Sequence, residues 1–133
     1  MIADQAKRSE TPLSLVMIDL DDLKLVNDTH GHGVGDKMIK TVSKVFLGST
    51  RKSDVVIRLG GDEFVLFLWN CNRGNSTKKM EKIQAKVEKK GYGFSFGVAV
   101  FDGESSPVEV MKEADEMMYR MKRLRKNLKV VGK

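Results

Sequence analysis

Residues 54–69 read DVVIRLGGDEFVLFLW, and the fold follows from how this stretch is parsed. Two runs rich in β-branched and aromatic residues, 54–59 and 64–69, flank Gly60-Gly61-Asp62-Glu63. Glycine tolerates positive φ, so the pattern predicts an antiparallel hairpin closed by a tight turn. Working upstream, residues 13–20 (LSLVMIDL) are a nearly continuous apolar run ending in acid, which reads as a buried central strand. Past Asp21 and Asp22 the pattern predicts a short helical turn, a glycine-rich loop at Gly31, Gly33 and Gly35, and then a helix. Met38, Val42, Val45 and Phe46 form that helix's apolar stripe, and Gly48-Ser49-Thr50 ends it.

Downstream of the hairpin, residues 70–77 (NCNRGNST) read as a loop, with Ser76 or Thr77 capping a helix whose Met80, Ile83 and Val87 share a face. Gly91 and Gly93 close it. Residues 94–101 (FSFGVAVF) are a second buried strand, in which Gly97 marks a close approach of backbone. After Pro107, the stripe Val110, Ala114, Met117, Met118 and Met121 defines a last helix, its methionines read as core filler. Residues 128–131 are expected to add a short edge strand. Strand, helix, hairpin, helix, strand, helix is an α+β, ferredoxin-like order with a mostly antiparallel central sheet flanked by helices. It sets the first strand beside the hairpin, so that the strand end and the turn can share one site.

The chain has 133 residues, the size of a single domain. No apolar run is long enough to span a bilayer, and residues 1–5 lack the order of a signal peptide, so direct membrane insertion is not expected and the cytoplasm is the expected compartment. The single Cys71 has no internal disulfide partner and reads as a bystander. The net charge of +6 comes from 24 basic and 18 acidic residues, and much of the excess is expected in Arg120, Lys122, Arg123, Arg125, Lys126 and Lys129. A generic nucleic-acid binder would use this cluster but leave the acids unexplained, so no nucleic-acid partner is expected.

Asp19, Asp21 and Asp22 end the first strand, and Asp62 and Glu63 sit on the turn. Carboxylates gathered within a few ångströms repel, and their pKa values rise unless a cation neutralises them. A hard divalent ion resolves this: Mg²⁺, with Mn²⁺ as an alternative, takes a few carboxylates together with water and phosphate. Such a site beside lysine and arginine suits phosphoryl or nucleotidyl transfer. Gly60 and Gly61 leave room for a nucleotide against the turn.

Taken together, these segments resemble the GGDEF family of diguanylate cyclases. Besides Gly60-Gly61-Asp62-Glu63-Phe64, residues 19–28 (DLDDLKLVND) resemble D-x-D-x-F-K-x-x-N-D, and residues 31–36 (GHGVGD) resemble G-H-x-x-G-D. Residues 95–99 (SFGVA) resemble S-x-G-V-A, and residues 114–122 (ADEMMYRMK) resemble A-D-x-A-M-Y-x-A-K. The resemblance implies a palm-type nucleotidyl cyclase fold and an enzyme that joins two GTP into cyclic di-GMP, releasing pyrophosphate. It implies that Asp19, Asp62 and the Leu20 carbonyl hold Mg²⁺, with Glu63 as a further ligand or as the base for the attacking 3′-hydroxyl; the base can be either Asp62 or Glu63. It assigns guanine reading to Asn27 and Asp36, and the phosphates to Lys122 and Lys126, with Lys24 a weaker candidate. A carboxylate at 36 accepts from N1–H and the 2-amino group of guanine, which adenine lacks. His32 is expected to structure its loop and stays outside catalysis. Arg51 and Asp54 fit R-x-x-D, the family's product-inhibition motif for cyclic di-GMP, with Gln84 near the place of the usual second arginine.

The chain departs from the family at Leu23, where phenylalanine is usual, and at Arg125-Lys126-Asn127, which stands for G-R-N. It is also N-terminally short, since only residues 1–12 precede the first strand. The product needs two GTP, so two domains must face each other as a homodimer, coupled to an upstream sensor domain. The alternative is a GTP- or cyclic di-GMP-binding module without turnover.

Overall fold

The computed structural model describes residues 11–131. The elements run β1 (Leu13–Leu20), α1 (Leu23–His30), α2 (His32–Gly48), β2 (Val55–Gly60), β3 (Glu63–Trp69), α3 (Arg73–Lys89), β4 (Phe94–Phe101) and α4 (Pro107–Val131). The sheet order is β2-β3-β1-β4 and every neighbouring pair is antiparallel, as the α+β, ferredoxin-like reading requires. β1 is central and buried along its whole length, which is why its sequence is an apolar run and not an alternation.

Side chains alternate across the sheet. One face presents Val16, Ile18, Leu20, Phe64, Leu66, Leu68, Phe94, Phe96 and Val98 to the inner stripes of α2 and α3. There Phe46 meets Phe64 and Phe94 edge-on, with centroids 5.2 and 5.3 Å away. The other face presents Leu15, Met17, Val65 and Ala99 to Val110, Ala114 and Met118 of α4. Gly97 makes the close approach expected of it: a Cβ there would lie 1.9 Å from the Ala114 carbonyl oxygen. The backbone it admits is that of α4.

Three expectations are corrected. Of the glycines at 31, 33 and 35, only Gly31 (φ 88°) breaks the chain, and α2 already contains the other two. Helix α3 begins at Arg73, capped by Asn72, whose Oδ1 accepts from the Asn75 N–H at 2.9 Å. Ser76 is instead buried and donates to Ser14 Oγ at 2.6 Å, tying α3 to β1. The edge strand expected at 128–131 is the end of α4, whose helical hydrogen bonding continues through Val131. The apolar residues that suggested a strand there follow a helix without a breaker.

Candidate functional site

Alternation along β1 puts Asp19 on the α4 face, and the antiparallel register sets it opposite Glu63. One residue on, the Leu20 N–H donates to the Asp62 carbonyl at 2.8 Å, so the strand end and the hairpin turn are locked together. The turn needs its glycines for conformation, since Gly60 and Gly61 have φ of 142° and 49° while added Cβ atoms would meet nothing. Arg58 braces it, with Nε and Nη2 donating to the Gly61 carbonyl at 3.2 and 2.9 Å.

Asp19 is 6% exposed. Its Oδ2 accepts from Lys122 Nζ of α4 at 2.5 Å, while its buried Oδ1 has no donor. Burial pushes its carboxyl up to about 6; Lys122 opposes the rise and the neighbouring Asp62 carboxylate adds to it. Lys122 is itself raised, because Asp19, Asp62 and Asp21 outweigh the burial that would lower it. Tyr119, one turn earlier on α4, is pushed up by Asp115 first, then by burial, Glu63 and Asp19.

Asp21, the next acid of the strand end, has its own bonded partners. It lies two residues on, where its Oδ1 accepts from Ser95 Oγ at 2.9 Å and its Oδ2 from Arg125 Nε at 2.8 Å. Its N–H donates to the Gly93 carbonyl, and Asp22 takes φ 64° to start α1. The expected gathering of five carboxylates is thus divided: Asp19 pairs with Asp62, Glu63 stands opposite in register, and Asp21 belongs to an ion pair. Among the described residues, no three His, Cys, Asp or Glu side chains form a ready metal cage.

Beside the strand end, a cavity of about 100 Å³ is lined by Asp21, Asp22, Lys122, Arg125 and Lys126. Asn27 on α1 lies against Gly35 of α2. Asn27 Oδ1 is buried without a donor and lies where a Cβ at Gly35 would be, 1.7 Å from it. Gly35 therefore makes room for Asn27, with Asp36 exposed next to it. Lys24 is exposed on α1, and His32 is the first residue of α2.

Arg51 and Asp54 form a strut at the entry to β2. The Asp54 side chain is fully buried and accepts from the Arg51 N–H (2.8 Å), the Trp69 N–H (3.0 Å) and Lys79 (3.4 Å). Burial would raise its carboxyl, but those backbone donors hold it below the usual range. The Arg51 guanidinium reaches the Trp69 carbonyl and, at 3.5 Å, Cys71 Sγ. Gln84 points inward and donates to the Phe94 carbonyl at 2.8 Å.

Residues 2–128 match the family model described as diguanylate cyclase, GGDEF domain. The chain belongs to the GGDEF-domain family. It is 36% identical over 132 residues to diguanylate cyclase DosC of Escherichia coli, covering 92% of this chain and 29% of that protein. It is 33% identical over 143 residues to diguanylate cyclase A of Treponema denticola, covering 99% and 38%. The chain therefore spans less than two fifths of the length of these relatives.

Among solved structures, the GGDEF domain of DgcB from Caulobacter crescentus, in complex with c-di-GMP, superposes with a TM-score of 0.84 at 26% identity, covering 90% of this chain and 77% of that one. The active GGEEF domain of a diguanylate cyclase from Vibrio cholerae gives 0.83 at 27%, covering 92% and 84%. The architecture is thus that of palm-type GGDEF domains.

Three participants in this GGDEF site had no role from sequence: Arg58, Ser95 and Arg125. Arg58 alternates into the turn from β2, and Ser95 faces Asp21 only because β4 pairs with β1. Arg125 carried a signal, its place in the altered G-R-N segment, but its partner depends on where α4 crosses the sheet.

Proposed function

We propose that this single GGDEF domain is a diguanylate cyclase. Two GTP would be joined by attack of each 3′-hydroxyl on the other's α-phosphorus, releasing two pyrophosphates and forming cyclic di-GMP. The observation that carries the reading is the pairing of Asp19 with the GGDEF turn: a buried carboxylate oxygen without a donor, beside Asp62, under Lys122. Two adjacent carboxylates, one raised, want a cation, and Mg²⁺ typically takes one or two carboxylates and completes its shell with water and phosphate oxygens. The donor set therefore fits Mg²⁺ or Mn²⁺, held by Asp19, Asp62 and the Leu20 carbonyl with Glu63 at hand. Such an ion supplies charge neutralisation at the phosphates and acidifies the 3′-hydroxyl.

The side chains do the rest. Asp36 accepts from guanine N1–H and the 2-amino group, and Asn27, held over Gly35, reads the same edge; this pair selects GTP over ATP. Lys122 and Lys126 both line the cavity, and Lys122 must leave Asp19 to reach phosphate. Lys24 adds positive charge from α1. Glu63, or Asp62, takes the proton of the attacking hydroxyl. Cyclic di-GMP would inhibit at Arg51 and Asp54, which requires Arg51 to swing off the Trp69 carbonyl and expose a carboxylate now buried. The working form is a cytoplasmic homodimer coupled to a sensor domain.

Incubation of concentrated protein with GTP and Mg²⁺ should yield cyclic di-GMP on chromatography, and Glu63→Gln should abolish it while remaining folded. Absence of product from folded, concentrated wild type sinks the enzyme reading. GTP binding without product would select the module reading.

A further inference from the structure

Arg125 stands where the family's segment has glycine, and the structure gives its guanidinium a defined task. Its Nε bonds Asp21 Oδ2 at 2.8 Å and its Nη1 lies 3.4 Å from Glu88 Oε1 at the end of α3. Asp21 is 9% exposed and lines the same small cavity as Lys122 and Lys126. That carboxylate faces the place proposed for phosphate, where an unpaired negative charge would repel the ligand. Ser95 contributes one neutral hydrogen bond to Asp21; among the described residues only Arg125 supplies a full positive charge at bonding distance. The contact is built in: a Cβ at Gly93 would lie 2.8 Å from Arg125 Nη2 and 3.1 Å from Asp21 Oδ2.

We propose that Arg125 is a positioning residue that neutralises Asp21, so that Lys122 and Lys126 present their charge to the phosphates of the nucleotide. The inference rests on the nucleotide reading above. Arg125 acts through Asp21, and phosphate is left to the two lysines. Glu88 fixes the guanidinium from the far side and keeps it off the ligand. The cost of removing Arg125 then scales with ligand charge, because what is restored is repulsion between Asp21 and phosphate.

Binding of GMP, GDP and an αβ-methylene GTP analogue, measured by calorimetry at constant Mg²⁺, reads this without turnover or a second copy. Arg125→Ala should weaken the triphosphate about tenfold, the size of one lost charge-assisted contact, and GMP less than threefold. In the cyclase assay KM should rise with kcat nearly unchanged. Asp21→Asn in the Arg125→Ala background should restore triphosphate binding to within about threefold of wild type, and Arg125→Lys should fall between, since an ammonium keeps the charge without the fork. Equal losses for all three nucleotides, or no rescue by Asp21→Asn in folded protein, overturn the proposal alone. Wild type that binds none of the three overturns it together with the nucleotide reading.

Discussion

With 6% of its side chain exposed and one oxygen lacking a donor, Asp19 holds a charge where burial disfavours it. Its carboxyl sits at about 6, against 3.8 for the ordinary group. A folded-state value raised in this way favours the native state most when the acid is protonated in both states, below about pH 4. That contribution is lost as pH rises through 6. Two pKa units correspond to roughly 3 kcal/mol, a net figure that already includes pairing with Lys122, and an asparagine leaves Lys122 without that partner, which takes back part of the gain. Asp19→Asn should therefore raise stability at pH 7.5 by about 1 kcal/mol, a few degrees in Tm, with little gain at pH 4, while abolishing cyclase activity. Thermal melts at the two pH values check it, and a variant less stable than wild type at pH 7.5 would show that the ion pair outweighs the burial. Added Mg²⁺ should raise the Tm of wild type and leave the Asn variant unmoved.

Helix α4 packs on β4 and β1 through a stripe of Val110, Ala114 and Met118, and it carries Lys122 and Arg125 past the strand end. Gly97 sets how close the helix comes. Alanine there would place its Cβ 1.9 Å from the Ala114 carbonyl oxygen and 2.5 Å from the Met118 nitrogen, both backbone atoms that no rotamer change relieves. Gly97→Ala should cost about 3 kcal/mol, the upper range for overpacking, and should depress activity beyond the loss of folded protein by lifting Lys122 from Asp19. Urea melts and specific activity per folded protein separate the two effects. The glycine's role was legible in the sequence because a glycine inside an apolar strand has few other reasons to be there. The same holds for β1, the hairpin and the α2 stripe, each marked by local periodicity. What was not legible depended on contacts across the fold. Ser76 looked like a cap but is claimed by Ser14, Gly33 and Gly35 looked like loop but lie in α2, and Asp21 was grouped with the gathered acids but is claimed by Arg125. Local chemistry offers each residue several partners, and the packing chooses.

At the scale of the molecule, the proposed reaction gives each domain one GTP, while the product contains two nucleotides. Under the proposed mechanism two domains meet with their sites facing, and a two-fold arrangement would let each present its bound GTP to the other. Among the described residues the most exposed apolar side chains are Leu25, Leu47, Leu59, Val108, Leu124 and Leu128, spread over α1, α2, β2 and α4. Under that mechanism encounter of two GTP-loaded domains is the concentration-dependent step, and occupancy of the pair follows mass action. Well below the dissociation constant of the pair, tenfold dilution at saturating GTP should lower the rate per milligram about tenfold. Fusing a parallel two-stranded coiled coil ahead of residue 1 should remove that dependence and raise the rate at low protein concentration, because the second site is then held at a high effective concentration. Initial rates of cyclic di-GMP formation over a hundredfold range of protein measure both. A specific activity that stays flat on dilution without the fusion would mean that the domain already forms a tight pair, or that one domain suffices. Sedimentation at the same concentrations distinguishes these, and a monomer with undiminished activity would overturn the two-domain mechanism.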